Sequence, residues 1–169
     1  TQSQGAQRAL QQSEERFRLA TQTGKVGVWD WDIVRNTVSW TDSLYAIHGL
    51  KQGDFAGTIE AFTALIHSED RKRVSAAIDR AMHEDIPCDL EFRLLRPDGE
   101  VAWVTTHASV IRESGQPVRM LGATVDITER KRAEIALRES ERRAALELSA
   151  MRQLHQMTTH LLGMREIPS

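Results

Sequence analysis

The run Cys88-Asp89-Leu90-Glu91-Phe92-Arg93-Leu94-Leu95-Arg96-Pro97-Asp98-Gly99 decides the fold. Cys88, Leu90, Phe92 and Leu94 alternate with Asp89, Glu91 and Arg93, a period of two that gives a strand one apolar and one polar face. Arg96-Pro97-Asp98-Gly99 then turns the chain, because Pro fixes φ and Gly permits positive φ. Val101 to Ile111 is rich in β-branched residues, carries Trp103 and reads as a long strand. A second turn, Glu113-Ser114-Gly115-Gln116, leads to a last strand from Val118 to Ile127, ending at Asp126-Ile127-Thr128.

Upstream of this sheet the pattern changes period. Val26 to Ile33 reads as a strand with Trp29, Trp31 and Ile33 on one face and Asp30 and Asp32 on the other. After a turn at Arg35-Asn36, Thr37 to Trp40 is a second strand, so residues 26–40 form a hairpin. Short helices over 42–66 are broken by Gly49, Gly53 and Gly57, with Leu44, Tyr45, Ile47, Ile59, Phe62, Leu65 and Ile66 as their apolar faces. A stronger helix follows. Ser68 is its expected N-cap, with Glu69 and Asp70 in the first turn, where carboxylates favour the helix dipole. Val74, Ala77, Ile78, Ala81 and Met82 then make one buried stripe, and Pro87 stops the helix.

Two further helices flank the domain. Residues 1–23 are rich in helix formers, with Leu10, Phe17 and Ala20 at roughly helical spacing, and Gly24 and Gly27 end the stretch. Glu129 to about Leu162 lacks both Pro and Gly, so a helix there would reach about 50 Å. That is too long to bury on a domain of this size, so the helix is expected to project and pair with a second copy. Leu137, Ala144 and Met151 are seven apart, with Leu148 between the last two. Leu154, Met157, Leu161 and Met164 continue in a shifted frame, as a stutter would. Ala9-Leu10-Gln11-Gln12-Ser13-Glu14-Glu15-Arg16 resembles Ala136-Leu137-Arg138-Glu139-Ser140-Glu141-Arg142-Arg143, so the same helix type enters and leaves the domain, as in modules joined in series.

Composition excludes several classes. The 169 residues are 40% hydrophobic and 27% charged, an ordinary globular balance, with a formal net charge of −2. No basic field attracts nucleic acid, although Arg130-Lys131-Arg132 is a local cluster. Cys88 is the one cysteine, so no internal disulfide forms, and a reducing, cytoplasmic setting is expected. No apolar run approaches the roughly 18–20 residues of a membrane span, and no signal peptide is visible. A start at Thr1 without methionine is expected of a piece of a longer chain.

The order of elements is strand, strand, short helices, longer helix, three strands. With it come Gly27-Val28-Trp29-Asp30-Trp31-Asp32, Trp40-Thr41-Asp42, Ile66-His67-Ser68-Glu69-Asp70-Arg71, Glu91-Phe92-Arg93-Leu94 with its turn, Trp103, and Asp126-Ile127-Thr128-Glu129-Arg130-Lys131. Over about residues 14–140 this resembles the PAS family, in the bacterial subgroup with a PAC segment. The resemblance implies an α+β fold: a five-stranded antiparallel sheet flanked by short helices, enclosing a pocket that can hold a ligand. It also implies a homodimer, and a signal passed through the C-terminal helix to a covalently linked effector such as a histidine kinase, a diguanylate cyclase or a transcription regulator. The expected division is a linker helix over 1–23, a sensor domain over 24–128 and a coiled-coil signalling helix over 129–169.

Several chemistries of such relatives lack their residues. A flavin photosensor of the family needs a reactive cysteine in an Asn-Cys-Arg-Phe-Leu type motif, whereas Cys88 opens a strand and reads as a buried small hydrophobe. Haem-binding relatives use a histidine in the middle of the long helix, where this chain has Val74 to Ile78. His83 lies on the last turn, where a cation suits the helix dipole, and His48 stays open as another ligand. The cofactor is therefore unknown, with flavin-thiol and haem chemistry disfavoured. His67 is expected to turn the chain, and His107 to alternate along a strand. His155 and His160 lack the following acidic residue and proline of a phosphoacceptor helix. Asp30 and Asp32 have no nucleophile, metal cluster or phosphate loop beside them, and no Gly-rich nucleotide motif is present. The chain is thus read as no enzyme in itself.

The expected pocket lining is Trp31, Tyr45, Phe62, Leu65, Ile78 and Phe92. The expected relay is Asp126, Ile127 and Thr128, with Asp126 pairing with a cation and Thr128 capping the helix that begins near Glu129. Leu137, Ala144, Leu148, Met151, Leu154, Met157 and Leu161 are the expected dimer seam. The competing reading is a ligand-free dimerisation and spacing module.

Overall fold

The computed structural model describes residues 2–22 and 25–165. Its elements are α1 (Gln2–Gln22), β1 (Val26–Asp32), β2 (Thr37–Trp40), α2 (Asp42–His48), α3 (Ile59–Leu65), α4 (Arg71–Glu84), β3 (Cys88–Leu95), β4 (Val101–Glu113), β5 (Gln116–Asp126) and α5 (Thr128–Met164). The expected stop of α1 at Gly24 lies outside the described residues. The chain divides into two compact units, residues 1–128 and 129–169.

In the first unit the five strands form one antiparallel sheet in the order β2-β1-β5-β4-β3. The first hairpin and the last strand therefore meet at the centre, where β1 pairs with β5 from Val26↔Val125 to Asp32↔Arg119. Period-two alternation puts Trp29, Trp31, Val38, Phe92, Leu94, Val104, Ala108 and Met120 on the inner face. Leu44, Ile47 and Val74 from the helices, with Ile66 just after α3, close over it. Leu44, Ile47, Ile66, Phe92 and Leu94 are almost wholly buried. Each such side chain contributes about 1.5–3 kcal/mol of transfer free energy.

Two close approaches set the layer spacing. A Cβ on Gly27 would lie 2.6 Å from Leu44 Cβ and 2.7 Å from its Cα, so only glycine lets α2 sit this near β1. Gly49 ends α2 in the left-handed region at φ 69°, its N–H returned to Ala46 O and Tyr45 O.

The start of α4 differs from the expected cap. Ser68 lies in a turn, and Asp70 occupies the N-cap position with no side-chain capping hydrogen bond. Its carboxylate is taken by β3 instead: it accepts from Arg93 N–H at 2.8 Å, Nε at 3.0 Å and Nη2 at 2.8 Å, with Glu69 on Nη2 at 3.0 Å. A bidentate guanidinium plus a backbone donor outcompetes a helix N–H for one carboxylate. This pairing holds the Asp70 carboxyl below the usual carboxylate range.

The second unit is helix α5. From Glu129 onward it has no buried residue, and it runs through Gly163. Leu137, Leu148, Met151, Leu154, Met157 and Leu161 are each more than half exposed, and Ala144 is exposed. No helix among the described residues is long and apolar enough to cross a membrane.

Candidate ligand cavity and helix junction

Between the sheet and the helices lies a cavity with about 30 Å³ of free space. That is room for one or two water molecules. The lining is mostly apolar, including Trp31, Phe62, Ile78, Leu90 and Phe92, with His48, Thr106 and Thr124 as polar exceptions. At the centre of the sheet Gly122 pairs with Ala108 and with Trp29, whose indole lies over Gly122 and lines the cavity. Trp29 Nε1 donates to Thr124 Oγ1 at 3.2 Å, and Thr124 and Thr106 hydroxyls lie 2.5 Å apart.

His48 forms the helical wall. Its ring stacks on Trp40 at 4.2 Å, Trp40 stacks in turn on Phe55 at 3.7 Å, and Phe62 meets His48 edge-on at 6.3 Å. Burial, with the nearby Arg96 charge, pushes the His48 pKa down to about 3, so the imidazole is neutral at physiological pH. Cys88 also lines the cavity, and burial pushes its thiol up, away from the reactive thiolate.

The end of β5 is a knot of hydrogen bonds. Asp126 N–H donates to Lys25 O at 2.8 Å, and Ile127 N–H to Trp103 O at 2.9 Å. Thr128 Oγ1 accepts from Trp103 N–H at 3.0 Å and donates to Asp126 Oδ1 at 2.5 Å. Asp126 Oδ1 also accepts from Thr128 N–H at 2.9 Å, while Oδ2 takes Arg96 Nη2 at 3.3 Å. Arg96 Nε meanwhile donates to Ile47 O at 3.0 Å, in the last turn of α2 and next to His48. Arg93 adds a second tie: gripped by Asp70, its guanidinium lies 5.5 Å over the Trp103 ring.

This architecture has known counterparts. The family description "PAS fold" matches residues 37–124. The chain belongs to the PAS fold family. The solved structure of a sensory box histidine kinase/response regulator from Burkholderia thailandensis E264 is similar at 32% identity and TM-score 0.65, over 75% of this chain and 95% of that one. Among curated relatives, Sensor protein FixL of Bradyrhizobium diazoefficiens is 31% identical over 75% of this chain. The probable diguanylate cyclase DgcE of Escherichia coli is 27% identical over 83%. The chain spans 25% and 13% of the length of those two relatives. It is a PAS sensor domain of the signal-transduction type, α+β as the sequence implied.

Within this PAS domain, Trp31, Phe62, Ile78 and Phe92 line the cavity, while Tyr45 and Leu65 do not. Tyr45 turns its ring against the edge of Trp40 at 5.2 Å, and Leu65 packs in the neighbouring core cluster. Trp29, Trp40, Thr106, Thr124 and Arg96 were not expected in the pocket or relay, and His48 was named from the sequence only as an alternative haem ligand. Trp29 shares a face with Trp31, which was a usable signal. The threonines look like any β-branched strand residue.

Thr128 differs from its expected role. It is the first residue of α5, and its hydroxyl is committed to Trp103 and Asp126 rather than to a helix N–H. The capping acceptor is Asp126, which takes the first helical N–H two residues on. Asp30 pairs with Arg119 across β1 and β5, and Asp32 with Arg35 in the turn. His67 Nδ1 accepts from Glu69 N–H, His83 Nδ1 lies 2.8 Å from Asp79 O, and His107 is exposed beside Asp89. His155 and His160 are exposed on α5. Among the described residues no group of three His, Cys, Asp or Glu could hold a metal.

Proposed function

We propose that the chain senses a small molecule in the cavity and passes the signal through Asp126 to α5, which pairs with a second copy. The effector beyond it would be a histidine kinase or a diguanylate cyclase, as in the relatives, and the setting cytoplasmic. The chain itself is then a non-catalytic input module. The observation that carries this reading is Arg96. One guanidinium touches both α2, at Ile47 O beside the cavity-lining His48, and the carboxylate that caps α5. A ligand that shifts His48 and α2 would pull on the first turn of the output helix. The exposed apolar side chains of α5, at spacings of three, four and seven, suit a coiled-coil seam. A frame change offers two packings of similar energy for such a pull to select between.

The second reading is a ligand-free spacer, and the small free volume favours it: about 30 Å³ falls far short of the ~300 Å³ or more of ordinary ligand sites. Native mass spectrometry of the purified chain, with its absorption spectrum, separates the two. A bound small molecule supports the sensor. A bare dimer whose parent's output is unchanged by Asp126→Asn supports the spacer.

A further inference from the structure

One of the side chains lining the cavity, Trp29, owes its position to a glycine. Gly122, opposite it on β5, adds no side chain, and the Trp29 indole lies over it. A Cβ built on Gly122 would come 2.8 Å from Trp29 Nε1 and nearer still to its six-membered ring. Trp29 packs against both core clusters but is less enclosed than its neighbour. It is only partly buried, whereas Trp31 two residues on is 6% exposed, and its one hydrogen bond, to Thr124, is long at 3.2 Å.

Beneath the indole the polar groups do not balance. Thr106 and Thr124 bring two hydroxyl protons, and their mutual bond uses one. The other has no protein acceptor among the described residues, although Thr106 is 6% exposed and Thr124 is 4%. The His48 ring, on the opposite wall, is stacked on Trp40. Thr106 and Thr124 both line the cavity, so the spare hydroxyl proton is within reach of an acceptor that enters it.

We propose that the cavity binds a small, uncharged, flat aromatic molecule with one hydrogen-bonding edge, and that the Trp29 indole occupies its place until displaced. This rests on the reading of the cavity as the sensory site. Flatness follows from the walls, a pleated sheet on one side and the Trp40–His48 stack on the other. Neutrality follows from the lining, which contains no ionised side chain to pair with a charge. The edge follows from the threonine pair, which offers an acceptor once Trp29 leaves and holds a spare O–H. Displacement would also be felt at the output: Trp29 pairs directly with Gly122 on β5, four residues before Asp126.

The test is calorimetric titration of the whole chain with indole and with 1-methylindole. A ligand that must first expel Trp29 binds weakly in proportion to the open fraction, so Trp29→Ala should bind indole about tenfold tighter or more than the wild type. In that background Thr124→Val should abolish the preference for indole over 1-methylindole. If Trp29→Ala does not fold, Trp29→Leu serves in the same comparison. Equal indole affinity with and without Trp29 overturns the proposal, as does a preference that survives Thr124→Val. A charged or aliphatic native ligand found by mass spectrometry would overturn it too, while leaving the sensory reading intact.

Discussion

Arg96 reaches Asp126 across 30 residues of sequence, Nη2 to Oδ2 at 3.3 Å, and holds the carbonyl of Ile47 with its other edge. Both partners are only about a quarter exposed, at 22% and 23%. Asp126→Asn keeps the shape and the Thr128 N–H acceptor but removes the charge. It should cost about 1–2 kcal/mol of stability, the scale of one charge-assisted hydrogen bond, and leave the domain folded. Output of the parent protein should become unresponsive. Urea unfolding beside an output assay reads both, and a normal response refutes the relay.

His48 predicts an acid-side stability loss. Unfolded, its imidazole titrates near 6.5; folded, near 3. The unfolded state therefore holds the extra proton between those values. Its contribution is complete above pH 6.5 and declines as pH falls toward 3. Thermal melts of His48→Gln should show a flatter Tm against pH than the wild type between about 6.5 and 4.5. Below that, Asp30 and Asp70 add losses of the same sign, since their partners hold both carboxyls low. Parallel profiles in the upper window would contradict the burial of a neutral His48.

Asp70 is the anchor between α4 and β3. Asp70→Ala removes the acceptor of three Arg93 contacts and leaves a half-buried guanidinium with Glu69 alone. A loss of about 2–4 kcal/mol follows, below the full penalty for a wholly buried pair because Arg93 keeps some water. Ser68→Ala, at the position the sequence marked as the cap, should change stability by less than about 0.5 kcal/mol. Chemical denaturation of both variants decides between the two assignments.

Helix α5 predicts association. Leu148 and Leu154 are 51% and 64% exposed, and a charge on both should disrupt a coiled-coil seam. Sedimentation should give twice the chain mass for the wild type and a monomer for Leu148→Lys with Leu154→Lys. A wild-type monomer at high concentration removes the dimer from the account.

Much of this was readable in the residues. Alternation from Cys88 to Leu94 and the Pro-Asp-Gly turn gave the sheet, because a period of two and a fixed φ act locally. The missing pieces were long-range. Nothing local tells that Arg93 takes Asp70 from its helix, since the two are 23 residues apart. The same applies to Thr128, whose hydroxyl goes to Trp103, 25 residues away. The pocket forecast chose large apolar side chains. Trp31, Phe62, Ile78 and Phe92 do line the cavity, but so do His48, Thr106 and Thr124, polar residues that a search for large apolar side chains passes over.

The central claim is that events in the cavity reach the first turn of α5 through Arg96. Amide hydrogen exchange over residues 126–131 tests it directly, in Trp29→Ala with and without saturating indole, and again with Arg96→Gln added. The account predicts that indole changes exchange in this segment and that Arg96→Gln abolishes the change while indole still binds. Exchange that is insensitive to indole, or equally sensitive without Arg96, would contradict it.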